Sequence, residues 1–343
     1  MTNLYVASWA PGGGKTTLCV GIGRHLQNKG KRVGYLKPVL LPPAGTSPGM
    51  DKDAQFIHQV LELDEPVERL CPLRWVELRE EDFPHKLRQA HSVVAKDKDI
   101  VLLEGWGELR GTEVLQLSSQ IVDIVDAKVI IVVPYSTDLP WEKITFSIRK
   151  FAPRLLGIVV TKTPKARMES VRARMISLFG KDGVRILGVL PEERLLLTVS
   201  VAELAEYLQA EVLCCPEASS ELVENLMIGV LGVDPGADYF ARKANKAVVT
   251  SDERPDIQLA ALATSTKCLI LSDGKAPIPQ VLHWAEDKGT SILSVKQDMP
   301  SIVASIEGLF LQTRFQQSKK LEKLAQILEQ HFDFNTLYQS FVA

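Results

Sequence analysis

No stretch of this chain holds the roughly 20 consecutive apolar residues a helix needs to cross a bilayer, so a membrane-spanning protein is not expected. The start, Met1-Thr2-Asn3-Leu4, has no basic segment followed by an apolar one, so secretion is not indicated either. Five cysteines, Cys19, Cys71, Cys214, Cys215 and Cys268, form no C-x-x-C pair, and their number is odd. That argues against zinc ribbons and disulfide frameworks and for thiols buried in a reducing, cytoplasmic setting. The six histidines are scattered without metal-ligand spacing. Charge of one sign is missing too: 40 Lys and Arg against 42 Asp and Glu leave a net −2. A broad attraction to nucleic acid or to anionic lipid is therefore not expected. Internal repeats and low-complexity segments are also absent.

What is present is the balance of a folded globular protein, 45% apolar and 24% charged. At 343 residues the chain is too long for one ordinary core, and two domains are expected. Short β-branched runs alternate with amphipathic stretches, the pattern of a parallel, doubly wound α/β sheet. Strands are predicted at 4–7, 32–36, 99–104, 128–133, 155–161 and 185–190. Helices are predicted at 15–29, ended by Gly30, near 53–63, 82–95, 113–125, 140–150 and 167–179, and at 201–208. The pattern lapses into a polar stretch at 214–220, which reads as a linker between a domain of residues 1–213 and a smaller α/β domain of residues 221–312. Strand candidates in the latter are 227–231, 246–250, 267–271 and 291–295, and 313–343 reads as a helical tail.

The strongest local signal is Ala10-Pro11-Gly12-Gly13-Gly14-Lys15-Thr16-Thr17, between the first strand and the first helix. Glycines permit the positive-φ turns that point successive backbone N–H groups at phosphate oxygens. The helix N-terminus adds positive charge at the same point. Lys15 reaches β- and γ-phosphates in such a loop and the Thr16 hydroxyl ligates Mg²⁺, so the segment is read as a P-loop for ATP with Mg²⁺. The first glycine of the usual motif is missing, since neither Ser8 nor Trp9 is glycine. A metal partner is expected on a neighbouring strand, and Ile100-Val101-Leu102-Leu103-Glu104 supplies a carboxylate at a strand end. Lys37 follows the second strand and also faces the ligand edge. Asp53 reads either as a helix N-cap alone or as cap and second metal carboxylate together.

Gly14-Lys15-Thr16, Gly34-Tyr35-Leu36-Lys37-Pro38-Val39, Asp53-Ala54 and Glu104-Gly105 stand in the order found in dethiobiotin synthetase, which this half of the chain resembles. The resemblance places Ser8 at the first-glycine position of that family's loop. It implies nucleotide binding by Pro11, Gly12, Gly13, Gly14, Lys15, Thr16 and Thr17, a carbamate-handling role for Lys37, and Mg²⁺ held by Thr16, Asp53 and Glu104. Thr161 stands where that family carries an adenine-reading Asn, and bulky Trp106 where small residues are usual. The family also implies a homodimer, which the apolar, proline-rich stretch 39–43 favours.

A second resemblance covers nearly the whole chain. Gly188-Val189-Leu190-Pro191-Glu192-Glu193 and the segment 200–213 are similar to the region preceding the DRTGG domain in long phosphotransacetylases. Thr250-Ser251-Asp252-Glu253-Arg254-Pro255-Asp256-Ile257 and Leu269-Ile270-Leu271-Ser272-Asp273-Gly274 resemble the two loops of that domain, with its glycine pair reduced to Gly274. Residues 313–343 supply a helix or two and no acetyltransferase portion, so phosphotransacetylase activity is not expected. Two main functions follow from these resemblances. One is a regulatory module that binds nucleotide in its first domain and senses a small ligand or docks a protein partner through 221–312. The other is an ATP-dependent ligase acting on a carboxylate or carbamate, with Lys15 and Lys37 as its catalytic residues. A scaffold with a decayed site is the third and plainest reading.

Overall fold

The computed structural model describes residues 1–40, 51–152, 154–230, 236–311 and 317–342. Most of the 39–43 stretch behind the dimer expectation lies outside the described residues. The chain forms two compact units, Met1–Glu193 with Phe315–Ala343, and Arg194–Arg314. Among the described residues no helix is long and apolar enough to cross a membrane.

The first unit is built on six strands: β1 (Thr2–Ser8), β2 (Val33–Leu36), β3 (Ile100–Glu108), β4 (Ala127–Pro134), β5 (Leu155–Thr163) and β6 (Ile186–Pro191). Their order is β2-β3-β1-β4-β5-β6, and every neighbouring pair is parallel. Strands such as Val129-Ile130-Ile131-Val132-Val133 are buried throughout, which is why they read as unbroken apolar runs rather than alternations. The strand order reverses beside β1, and the crevice at the carboxyl end of such a switch point is where open α/β sheets bind ligands. Helix α1 (Lys15–Asn28) leaves that crevice and stops where Gly30, at φ 76°, donates its N–H to Gln27.

The end of the chain returns to this unit. Helix Leu321–His331 lies against α1 so closely that a Cβ on Gly21 would stand 2.1 Å from a Leu328 methyl. His25 stacks on Phe334 at 3.6 Å, and Lys128 donates to the Ser340 carbonyl at 2.7 Å. The segment expected as a separate tail is thus part of the first unit, because its apolar face covers α1 and β6.

In the second unit the sheet is mixed: β7 (Glu211–Cys214), β8 (Asn225–Gly229), β9 (Lys246–Ser251), β10 (Thr266–Ser272) and β11 (Ser291–Ser294), in the order β7-β11-β10-β9-β8. Only β7 runs antiparallel to its neighbour in this sheet. Side chains alternate between its faces, as strand geometry requires. Ala247, Val249, Ile270 and Leu293 pack with helices Val201–Leu208 and Met299–Leu311 on one face. Val248, Leu269, Leu271 and Ile292 pack with Phe240, Ile257 and Val281 on the other. The boundary between the units therefore falls before the expected 213/214. Helix Val201–Leu208, opened by a reciprocal Ser200–Glu203 capping box, gives Leu204 and Leu208 to the second core.

Candidate functional site

The glycine-rich loop closes over the carboxyl end of β1. Gly12 and Gly14 take φ of 60° and 93°, the left-handed region that glycine enters without penalty. Gly14 is the N-cap of α1 and supplies no side-chain cap, and no acid occupies the first helical turn. The leading N–H groups and the positive end of the helix dipole are thereby left for an anion. Trp9 donates its backbone N–H to the Val132 carbonyl at 2.9 Å, pinning the loop's start to β4. Ser8, standing where the loop of dethiobiotin synthetases has glycine, turns its hydroxyl back onto the Ala10 carbonyl at 2.7 Å. A Cβ on Gly13 would lie 2.1 Å from that hydroxyl oxygen, so Gly13 gives the room that Ser8 takes. Thr161 donates to the Gly13 carbonyl at 2.9 Å. Its hydroxyl proton braces the loop and is not offered to a base.

Thr16 donates to Glu104 Oε1 at 2.8 Å, and Tyr35 donates to Glu104 Oε2 at 2.9 Å. The Glu104 carboxylate is buried. Burial pushes its pKa up and Lys37 opposes that rise. Glu104 does not end its strand as expected: it pairs with Val6, and β3 runs on to Glu108 through an irregularity opposite Val6–Ser8. Gly105 makes the close approach possible, since a Cβ there would meet the Tyr5 hydroxyl at 3.0 Å and the Val6 carbonyl at 3.1 Å.

Lys37 lies between two acids, 2.8 Å from Asp51 Oδ2 and 2.9 Å from Asp53 Oδ2, with all three side chains at most 14% exposed. Burial opposes its charge, but Glu104, Asp53 and Asp51 together outweigh burial and hold its pKa above the usual range. Asp51, not Asp53, is the cap of helix α2 (Lys52–Val60), accepting from Ala54 N–H at 2.8 Å. Asp53 lies in the first turn of that helix and faces Lys37. Lys15 reaches the Gly107 carbonyl at 3.4 Å, and burial lowers its pKa.

Five of the expected residues, Lys15, Thr16, Lys37, Asp53 and Glu104, thus share one electrostatic neighbourhood. Sequence reasoning assigned no role to two others. Tyr35 orients Glu104, and its signal was a phenol in the middle of a fully buried strand, where a hydroxyl needs a partner. Cys71 is pushed up to about 12 by burial, with the Asp51 charge acting in the same direction. It sits beside the Lys37 acids and stays protonated.

The donors suit a hard cation, because hydroxyl and carboxylate oxygens are what Mg²⁺ takes. Among the described residues no three His, Cys, Asp or Glu side chains converge on one metal position. A metal at Thr16 and Glu104 would therefore draw the rest of its shell from phosphate and water. A cavity of about 270 Å³ also borders Trp9, between Leu109, Leu115 and Phe146. None of Lys15, Thr16, Lys37 or Glu104 lines it, and it meets the phosphate loop at Trp9.

Residues 2–200 match the family model of an AAA domain, and residues 203–309 match the DRTGG domain. Phosphate acetyltransferase of Pseudomonas aeruginosa is 24% identical over 371 aligned positions, covering 99% of this chain and 52% of the relative. That of Haemophilus influenzae is 23% identical, covering 94% and 50%. The chain spans about half the length of the curated relatives it matches, and the matched half is their N-terminal part. Among solved structures, cobyrinic acid a,c-diamide synthase from Mycobacterium smegmatis, with an ATP analogue and magnesium bound, is 19% identical with a TM-score of 0.36. It covers 57% of this chain and 88% of that one. The cell division protein MinD of Aquifex aeolicus is 20% identical with a TM-score of 0.33, covering 57% and 84%.

Proposed function

Because the chain belongs to the AAA domain family across residues 2–200, we propose that its first unit binds ATP with Mg²⁺ and acts as a regulatory or ligand-sensing module. The observation that carries this reading is the Thr16–Glu104 contact of 2.8 Å at the uncapped, acid-free start of α1. It sets one hydroxyl and one carboxylate beside the point where helix and loop N–H groups converge. In this reading the loop N–H groups and Lys15 hold the phosphates, and Thr16 and Glu104 hold the metal. Tyr35 keeps Glu104 turned toward Thr16. When bound, the metal would neutralise phosphate charge. Asp53 is tied to Lys37, so a metal or phosphate that engages either residue must first break that pair.

The test is thermal. A ligand at 100 times its Kd stabilises a folded unit by about 2.7 kcal/mol, on the order of 5–10 °C in midpoint for a unit of this size. Mg·ATP is expected to produce such a shift and Lys15→Ala to abolish it. An unchanged shift in the variant would put the nucleotide elsewhere.

A ligase reading is favoured by one observation, the placement of Lys37 in the same charged neighbourhood as Glu104. There Lys37 would neutralise charge developing on a carboxylate or carbamate during phosphoryl transfer. ADP release that depends on a particular amine or carboxylate would select it. ATP binding with no such dependence selects the sensor.

A further inference from the structure

The carboxyl edge of the second sheet has a charge pattern that nothing so far explains. Register pairs Ser251 of β9 with Ser272 of β10, so Asp252 and Asp273 leave the sheet side by side. Asp252 is 9% exposed, and its Oδ2 is fully enclosed without a hydrogen-bond partner among the described residues. Gln258 is wholly buried. Its amide nitrogen donates to the Ser251 and Asp252 carbonyls at 2.8 and 3.1 Å, while its Oε1 has no partner among the described residues. Two buried acceptors, one on the loop after β9 and one on helix Pro255–Leu262 that follows it, therefore lack donors among the described residues, and a buried acceptor left unpaired is costly.

Asp273 is the second unusual residue. It holds φ at 68°, a conformation glycine adopts freely and other residues rarely, and Gly274 follows at φ 78°. This is the place of the reduced glycine pair. Glycine would leave backbone N–H groups open to an anion, but here a carboxylate stands in the way, bonded by the Ser272 hydroxyl at 2.5 Å. A protein cation already responds to the field. The hydrogen bond and charge of Glu253, then the charges of Asp252 and Asp273, hold the exposed Lys275 ammonium above its usual range. Lys275 is committed to Glu253 at 2.9 Å, and Arg254 to Asp256 at 2.7 Å. Lys296 lays its stem against Gly274.

We propose that this edge binds an organic cation with N–H donors, a primary ammonium or guanidinium group, held by Asp252 and Asp273 with Gln258 Oε1 as a further acceptor. Phosphate is disfavoured because both carboxylates would repel it. A bare metal ion is disfavoured because, among the described residues, no three metal-ligating side chains converge. The site is separate from the phosphate loop and does not depend on the reading given above for the first unit.

The experiment is calorimetric titration of the full chain with agmatine and with putrescine, and separately with CaCl₂ and sodium pyrophosphate in a Lys15→Ala background. One amine is expected to bind. Asp252→Asn should weaken it by about tenfold or more, the loss of one charge-assisted hydrogen bond. Asp273→Gly should weaken it too while leaving the melting midpoint no lower, since glycine suits φ 68°. This second variant keeps the test decisive if Asp252→Asn fails to fold. Amine binding that both variants leave unchanged would overturn the proposal. So would the absence of amine binding up to roughly 10 mM, where even a contact of a few kcal/mol registers. Calcium or pyrophosphate binding that either variant abolishes, with no amine binding, would assign the edge to a metal or to an anion instead.

Discussion

Both units gather charged and polar groups at the carboxyl ends of their strands, yet the two edges are built with opposite chemistry. In the first, glycines at φ 60° and 93° face a helix start free of acid, and Lys15 and Lys37 stand beside them. Its carboxylates are answered: Glu104 by Thr16 and Tyr35, Asp51 and Asp53 by Lys37. In the second, an aspartate occupies the left-handed position, and Asp252 Oδ2 and Gln258 Oε1 have no partner among the described residues. A sheet edge offers position without fixing charge, and a few residues decide whether an anion or a cation is welcome there. Buried lysines repeat the contrast. Lys37 has two carboxylates, whereas Lys246 has the Thr264 hydroxyl and the Ser265 carbonyl at 2.9 Å each.

The largest effect is expected from breaking the answered side. Lys37→Met leaves two nearly buried carboxylates without their cation, and breaking such a pair costs about 3–5 kcal/mol. Chemical denaturation should show that loss in the first unit, and adding Asp53→Asn should recover part of it. If Lys37→Met is as stable as wild type, the triad is not a compensated cluster and the contrast between the edges fails. The double variant also serves the functional question, because turnover lost in a folded protein is then not mistaken for unfolding.

Much of the first unit was legible because its signals are local. Apolar runs gave the six parallel strands, and Gly12, Gly13, Gly14, Lys15 and Thr16 announced a loop whose function lies in its own backbone. What escaped depends on distant parts of the chain. The role of Tyr35 needs Glu104, 69 positions away, and Glu104 sits inside β3 because Gly105 lets Tyr5 and Val6 approach. Residues 211–213 looked like the end of one domain, but Glu211 and Val212 pair with Ser294 and Leu293, so they belong to the antiparallel edge of the other. The C-terminal helices read as a tail because their apolar stripe gives no hint that Gly21 of α1 is the surface it covers. Asp53 reads as the cap under either alternative the sequence offers, and only geometry shows that Asp51 caps the helix while Asp53 faces Lys37.

An intermediate effect tests the loop proposed to bind phosphate. Gly13→Ala would place a Cβ 2.1 Å from the Ser8 hydroxyl and 3.2 Å from the Ala10 carbonyl. The loop must shift, and nucleotide affinity is expected to fall by about 10²-fold, or about 2.7 kcal/mol. Ser8→Gly added to Gly13→Ala removes the hydroxyl and should restore most of the binding, leaving the residual contact with Ala10. Titration of Mg·ATP against the single and double variants measures both steps. A Gly13→Ala protein that binds as tightly as wild type would mean that this loop does not hold the phosphates.

The smallest effect belongs to Lys246, which is fully buried and whose pKa burial lowers to about 8. An unfolded lysine titrates near 10.4. Below pH 8 both states carry the proton, and the native state bears the whole cost of a buried charge answered only by neutral oxygens. Between about 8 and 10.4 the unfolded chain binds more protons than the native one, so stability rises with pH; above that window the cost is gone. Lys37, whose pKa is raised, has the opposite sign, since its stabilisation is full below the unfolded value and is lost as pH climbs past the native one. The measurement is the unfolding free energy of the second unit at pH 7.5 and 9.5 for wild type and Lys246→Met. Wild type is expected to gain on the order of 1–2 kcal/mol over the variant between those two points, about 1.4 kcal/mol per full unit of differential titration. Using the difference between the two proteins cancels the tyrosines and thiols that titrate in both. A parallel pair of pH profiles would show that Lys246 is compensated as fully as Lys37, and the contrast between the two buried lysines would then be lost.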